Sequence, residues 1–317
     1  MEPFTKNRKL SVSALGEVLL IERLRTWLGT ATLPPPLGIG DDCAVLPASK
    51  RRRLITVDPV VYGRHFDAST SPKKAAEKLL KRNLSDLAAM GGRPVAAVLA
   101  LALDPCVKIV WLEEFYRGLA ACARRYRVPI VGGDVAQSDK FLGAFLTLLG
   151  EPAGERVLTR KGAKRGDWIY VTGKLGGSLL GKHLTFTPRL SEGAWLAQQR
   201  GVRSMMDVSD GLAKDLHSLT PTDCEAMLDF SAVPISDDAL KLARRSKRTP
   251  LEHALSDGED YELTFSLTSD ANRATFENAW KRKFSTPLSC IGRFQKKGEA
   301  SKATNSLQRF HGYEHLR

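Results

Sequence analysis

The sequence predicts a mixed α/β protein with α+β character, built as two domains, and three observations carry that expectation. Strand-like and helix-like segments follow one another in both halves of the 317 residues, as layered α/β and α+β proteins require. A turn-rich stretch, GEPAG at 150–154, sits near the midpoint and reads as a boundary. The length suits about two domains, and a hydrophobic content of 43% can fill a core in each. The expected domains are residues 1–150 and 151–317.

Each element has its own signal. Residues 16–28 carry apolar side chains at helical spacing and break at Pro34-Pro35-Pro36. LGIGDD at 37–42 is a glycine-rich turn closing on two carboxylates. Residues 54–57 read as strand and end on Asp58. Pro72 opens a helix to about residue 90, its apolar positions recurring every three or four residues. Residues 94–103 read as a buried strand, 111–126 as an amphipathic helix, and 129–131 as a short strand stopping at Gly132-Gly133-Asp134. A further strand spans 141–149. In the second half, 168–172 is a strand followed by glycines, and 205–208 is a strand entering the turn DVSDG, with a helix to about residue 219. Then come a strand at 226–230, a helix at 237–245 and a strand at 261–267.

Composition removes several classes of function. The longest apolar run, 95–103, is too short to span a bilayer as a helix, and the opening MEPFTKNRKL lacks the apolar centre of a secretory signal. The 5 cysteines are scattered and never form CxxC, which argues against a disulfide framework or structural zinc and for a reducing compartment. The expectation is a cytoplasmic protein with no membrane partner. The net charge of +13 favours polyanions. Its dense runs, at 50–53, 244–248 and 281–283, are far apart, lack interleaved aromatics and match no nucleic-acid motif. Solvated turns and helix faces account for them, and nucleic acid is not an expected partner.

The chemical signal is acidic. Asp41, Asp42, Asp58, Asp134, Asp207 and Asp210 are read at strand ends or in glycine-flanked turns, and Asp86 on a helix within NLSDL. Any one of them is ordinary turn chemistry. Together, pointing into a shared mouth, they would repel one another, and a divalent cation relieves that repulsion. With oxygen ligands and no paired His or Cys, magnesium is the natural ion. Several aspartates beside glycine turns, whose backbone amides can approach phosphate, are the equipment of phosphoryl transfer.

Two patterns point elsewhere. GGSLLGKH at 176–183 spells GxxxxGK, but His183 stands where a P-loop needs a hydroxyl for magnesium; a glycine-rich helix start explains it, with phosphate contact at the helix N-terminus left open. Among 6 histidines no HExxH occurs. His65, shortly after Asp58, is as well explained by structure as by function.

The ordered set GIGDDCAV (38–45), TVDPVVYGRHF (56–66), NLSDLAAMG (83–91), GGD (132–134), LTRKGAKRGDWIYVTG (158–173), MDVSDGL (206–212), GEDYEL (258–263) and CIG (290–292) resembles the thiamine-monophosphate kinases, of the aminoimidazole-ribonucleotide-synthetase-like superfamily. The resemblance covers nearly the whole chain. It implies an N-terminal α/β domain binding ATP and magnesium, whose strands pair across a homodimer, and a C-terminal α/β domain completing the site. It implies direct in-line transfer of the ATP γ-phosphate to thiamine monophosphate, giving thiamine diphosphate, without a phosphoenzyme. Carried over by motif, Asp42, Asp58, Asp86, Asp134, Asp207 and Asp210 would hold magnesium ions, with Asp42, Asp134 and Asp210 nearest the chemistry. Gly133, Asp134, Arg160 and Ser209 would contact ATP. His65 and Glu259 would contact the substrate, and Phe310 would lie against the thiamine rings. The sequence departs from the family's habit at Pro59, Tyr62, Val135 and in the short segment 176–189. Two alternatives stand beside this reading: another ATP-dependent enzyme of the superfamily, such as one forming aminoimidazole ribonucleotide, and a basic nucleic-acid-binding protein, which steep salt dependence of binding would reveal.

Overall fold

The computed structural model describes residues 1–35, 37–40, 43–298, 307 and 310–313. The chain forms two compact units: Met1–Leu87 with Arg93–Glu151, and Ala88–Gly92 with Pro152–Arg317.

The first unit contains α1 (Gly16–Leu28), β1 (Leu54–Val61), α2 (Pro72–Ala89, its last turn counted with the second unit), β2 (Gly92–Leu103), α3 (Ile109–Tyr126), β3 (Ile130–Gln137) and β4 (Leu142–Pro152). Its sheet has the order β1-β4-β2-β3. β1 and β4 are antiparallel, and β2 and β3 parallel. One sheet face carries the helices: Val60, Leu101 and Ala144 meet Trp111, Leu112 and Phe115 of α3, and Phe66, Trp111 and Phe115 stack in a row with ring centroids 5.8 and 5.5 Å apart.

Two strands outrun their sequence signals. β1 continues through Asp58 and Pro59 to Val61, because its ladder to β4 runs on from Asp58↔Leu146 to Val61↔Gly143. Pro59 is tolerated since β1 is an edge strand, where a missing N–H costs no inner ladder bond. β3 does not stop at the glycines; Asp134 pairs with Ala100 and the parallel ladder reaches Gln137.

The second unit contains β5 (Trp168–Thr172), α4 (Lys182–Thr185), α5 (Leu190–Gln198), β6 (Val202–Asp207), α6 (Leu212–Leu219), β7 (Cys224–Leu228), α7 (Asp237–Ala243), α8 (Pro250–Ser256), β8 (Leu263–Leu267), α9 (Arg273–Lys283) and β9 (Leu288–Lys296). Its sheet, β6-β8-β5-β9-β7, is antiparallel in its β5–β8, β5–β9, β6–β8 and β7–β9 pairs. Alternation along β5 feeds two cores. Ile169 and Val171 join Met206, Leu216 and Ile291 on one side, while Tyr170 joins Met205, Phe265 and Trp280 on the other. Three of these helices, α7, α8 and α9, start on side-chain caps: Ser236 accepts from the Ala239 amide, Asn272 from the Thr275 amide, and Thr249 with Glu252 forms a capping box on α8.

Candidate active site

The second unit concentrates its chemistry where β6 ends. Asp207 closes the strand and is 3% exposed. The chain then turns through 208–211 against the loop 258–262. The Val208 amide donates to the Glu262 carbonyl (2.8 Å), the Glu259 amide to Ser209 (2.7 Å) and the Tyr261 amide to Val208 (2.8 Å). These bonds hold Glu259 and Tyr261 in the left-handed region, at φ 54° and 51°, a conformation that non-glycine residues keep only when the surroundings impose it. Gly258 is needed here: its φ is +74°, and a Cβ would stand 2.8 Å from the Ser209 carbonyl. Ser209, Asp210 and Glu259, three of the expected site residues, are thus brought together beside Asp207.

Asp215, which the sequence reading missed, organises this turn. Its Oδ2 accepts from both the Ser209 and Asp210 amides at 3.0 Å. Burial, then the neighbouring Asp207 charge, push its carboxyl up to about 8. Its only sequence signal is a carboxylate in the first turn of a helix that follows SDG. Asp210 in turn pairs with Lys214 at 2.6 Å.

The C-terminal segment closes on the same place. The Tyr313 amide donates to the Asp210 carbonyl at 2.9 Å, and Tyr313 is 49% exposed. Phe310 is different from expectation. It is 8% exposed and packs into the core with its ring edge-to-face on Phe230, centroids 5.7 Å apart. The apolar pocket left by Phe230 and its neighbours claims this ring, so the aromatic presented beside Asp210 is Tyr313.

In the first unit Asp58 pairs with Arg82 at 3.2 Å, and the guanidinium also reaches the Pro59 carbonyl. Asp86 accepts from the Thr56 hydroxyl. Both carboxylates therefore lie between β1 and α2. His65 accepts from the Val61 amide at Nδ1, 3.1 Å, which leaves Nε2 as the protonated nitrogen of the neutral ring. The fully buried Lys78 fixes that loop by donating to the His65 carbonyl at 2.9 Å. Gly133 and Asp134 line a separate cleft of about 90 Å³ with Ile21, Leu24, Leu28 and Tyr116. A Cβ on Gly133 would run into the Leu99 carbonyl. Arg160 is exposed. Asp41 and Asp42 lie outside the described residues.

The strand-end placement expected for two of the carboxylates needs correcting. Asp58 and Asp134 sit inside their strands, not at the ends. β1 and β3 are the opposite edges of the sheet, three strand spacings or about 14 Å apart. The reason is the continued pairing described above, which carries each strand past its acidic residue.

The donor set fits magnesium. The candidate ligands are all oxygens, and the Asp207 and Asp210 charges bear on Asp215 in one partly desolvated turn, a repulsion that a hard cation would relieve. Among the described residues, no three His, Cys, Asp or Glu side chains by themselves form a metal cage.

The GxxxxGK segment is not a phosphate cradle. The Gly176 amide donates to Asp260 at 2.9 Å and the Gly177 amide to Asp257 at 3.0 Å. Lys182 is engaged with Glu262 at 3.1 Å, and Arg189 clamps the same carboxylate with two bonds of 2.7 and 2.8 Å. The amides and the lysine that a phosphate would use are spent on buried acids of the chain itself. α4 has only 4 residues, so the phosphate contact left open for a helix start there is withdrawn.

Residues 40–151 match the family "AIR synthase related protein, N-terminal domain". A four-stranded and a five-stranded sheet, each with helices, fit that synthetase-like class. The same architecture recurs in the hydrogenase maturation protein HypE in complex with ATP, at TM-score 0.73 over 92% of this chain and 90% of that one with 18% identity, a likeness of fold alone. Nearer in sequence is the thiamine-monophosphate kinase of Escherichia coli K12, 38% identical over 303 residues, 88% of this chain and 90% of that protein. The thiamine-monophosphate kinase structure from Stenotrophomonas maltophilia is 32% identical at TM-score 0.72, over 89% of this chain and 95% of that one. The structure of AaThiL complexed with AMPPCP and TMP aligns over 96% of this chain and 98% of that one, at TM-score 0.71 and 26% identity. The chain belongs to the thiamine-monophosphate kinase family.

Proposed function

We propose that the protein phosphorylates thiamine monophosphate with ATP, giving thiamine diphosphate and ADP, with magnesium held by its aspartates. What carries the reading is the likeness, over nearly the full chain, to relatives bearing that name and to AaThiL complexed with AMPPCP and TMP. The turn made by Asp207, Ser209, Asp210 and Glu259 supports it.

In this reading an oxygen of the thiamine monophosphate phosphate attacks the γ-phosphorus in line, and the bond to the β-phosphate oxygen breaks. Two anions must be brought together, so catalysis is mostly positioning and charge neutralisation. Magnesium, when bound, neutralises phosphate oxygens; Asp42, Asp58, Asp86, Asp134, Asp207 and Asp210 are the residues we assign to it. The Ser209 hydroxyl, the Gly133 backbone and the forked Arg160 guanidinium hold nucleotide phosphates. The His65 Nε2–H donates to the substrate phosphate. Glu259, held out of regular backbone by its loop, faces the cationic or amine side of the thiamine rings, and Tyr313 supplies their aromatic contact.

A second copy of the chain is the partner we assign to the first unit's open sheet face. Thr56 and Asp58 point to α2, so Ile55 and Val57 point to the other side, where they are 73% and 61% exposed. An apolar sheet face of this kind calls for a cover. The free cysteines, Cys43 and Cys106 among them exposed, suit a reducing cytoplasm.

The deciding experiment measures thiamine diphosphate and ADP together. Both should form in equal amounts only when ATP, thiamine monophosphate and magnesium are all present. No thiamine diphosphate at any magnesium concentration overturns the reading. Light scattering should give a dimer that Ile55→Lys converts to monomer.

A further inference from the structure

Lys214 sits in the first turn of α6, where the helix dipole disfavours a cation. There its ammonium engages two oxygens from distant parts of the chain. It donates to Asp210 Oδ2 at 2.6 Å and to the Tyr313 carbonyl at 2.5 Å. The Tyr313 amide returns to the Asp210 carbonyl at 2.9 Å. Gly312 lies directly on this pair: a Cβ there would come 2.6 Å from Lys214 Cβ and would run into the Asp210 carbonyl. A charged hydrogen bond, a backbone hydrogen bond and a close packing contact thus bind the C-terminal segment to the Asp210 turn.

We propose that Lys214 is a positioning residue coupling cation binding at Asp210 to the placement of Tyr313. The proposal rests on the assignment of Asp210 to magnesium. Its logic is competition for one carboxylate. The ammonium and a divalent ion are both cations drawn to Asp210 Oδ2, so each weakens the other's hold. When an ion takes that oxygen, the ammonium keeps the Tyr313 carbonyl as its acceptor, and the segment bearing the exposed aromatic is drawn in. Ion occupancy on one side and substrate-side order on the other are linked through a single side chain. The structure also sets the signs. Loss of the ammonium frees Asp210 for an ion and releases Tyr313.

Lys214→Met keeps the length of the stem under Gly312 and removes charge and donor together. Manganese, followed by electron paramagnetic resonance on the substrate-free protein, should bind Lys214→Met about two- to fivefold more tightly, the size of one partly exposed ion pair. Hydrogen exchange at residues 310–313 should speed up, and the KM for thiamine monophosphate should rise while kcat changes little. Lys214→Arg should restore all three. Gly312→Ala, which undocks the segment while keeping the charge, should speed exchange at 310–313 and weaken manganese binding, because the ammonium is then left to Asp210 alone. Unchanged or weaker manganese binding by Lys214→Met, or retained protection at 310–313, overturns the proposal. A purely structural lysine would lower stability without tightening manganese. If the parent protein makes no thiamine diphosphate, the functional reading falls, while the manganese and exchange measurements still decide this coupling.

Discussion

Replacing Asp215 with alanine removes the acceptor that two backbone amides share. The carboxylate is 5% exposed, and its Oδ2 holds the Ser209 and Asp210 amides at 3.0 Å each. An orphaned buried donor costs about 1–3 kcal/mol. Ser209 and Asp210 are half-buried, so water recovers part of that, and the pair should cost about 2–3 kcal/mol in all. Activity should fall further than stability, because the turn that presents Ser209 and Asp210 loses its brace, and misplacement of about 1 Å can cost about a hundredfold in rate. Asp215→Asn keeps an oxygen in the same place, so it should lose under about 1 kcal/mol and stay within about tenfold of the parent rate. Urea unfolding and thiamine diphosphate formation give the two numbers. An alanine variant as stable and active as the parent, or an asparagine variant no better than alanine, would refute the bracing role.

Two further outcomes follow from packing and charge. Gly133→Ala must push its Cβ against the Leu99 carbonyl and within 3.3 Å of the Leu99 amide, so β2 and β3 have to part; a loss of about 1–3 kcal/mol and a raised KM for ATP are expected from urea unfolding and steady-state kinetics. Asp260, 1% exposed, has its carboxyl pushed from 3.8 up to about 7, chiefly by burial. The folded state therefore binds that proton more tightly than the unfolded chain, and stability from this group falls as pH rises from 3.8 to about 7 and is level above. Asp260→Asn should flatten that slope, so its thermal midpoint should gain on the parent between pH 5 and pH 8; an unchanged difference refutes the shift.

Local patterns found most of the elements that bury a face. α2 and α3 were visible because their apolar residues recur at helical spacing, and β2 and β5 because they are continuous apolar runs. Strand ends were less legible. Glycines at 132–133 and the proline at 59 are ordinary stop signals, yet Asp134 pairs with Ala100 and Val61 with Gly143. Ladder partners supplied from elsewhere outweighed the local preference, as they commonly do for strands. α8, α9 and β9 left weak traces in the sequence. α9 in particular is strongly basic at its end and buries only Phe276 and Trp280.

The site was legible by residue type and only partly by arrangement. The turn after β6 was evident because SDG following a strand is compact and acidic. The brace on it, Asp215, looked like any acid in a first helical turn. The sequence offered Phe310 as the aromatic for the thiamine rings and gave Tyr313 no role, and a pattern cannot tell which ring the core will take. Phe310 packs against Phe230 and is buried, whereas Tyr313, whose amide bonds to Asp210, keeps half its surface exposed.

The glycine loop at 176–177 shows why acids cannot be sorted into roles by motif alone. Asp210 and Asp260 both lie in glycine-flanked acidic turns, yet their surroundings differ. Asp210 is half-buried and faced by the half-buried Lys214, whereas Asp260 is buried and takes the Gly176 amide through both its oxygens, at 2.9 and 3.1 Å. A buried carboxylate has to find donors inside the fold, and Asp257, Asp260 and Glu262 find theirs in the glycine amides, Lys182 and Arg189. Those are the groups that a phosphate-binding loop would otherwise offer to a ligand. The donors and acceptors are 73 to 84 residues apart, so their mutual cancellation is invisible to any local reading. At the Asp207–Asp210 turn, by contrast, Asp210 is answered by Lys214 at a half-buried position, and there the proposed cation would compete with an ammonium.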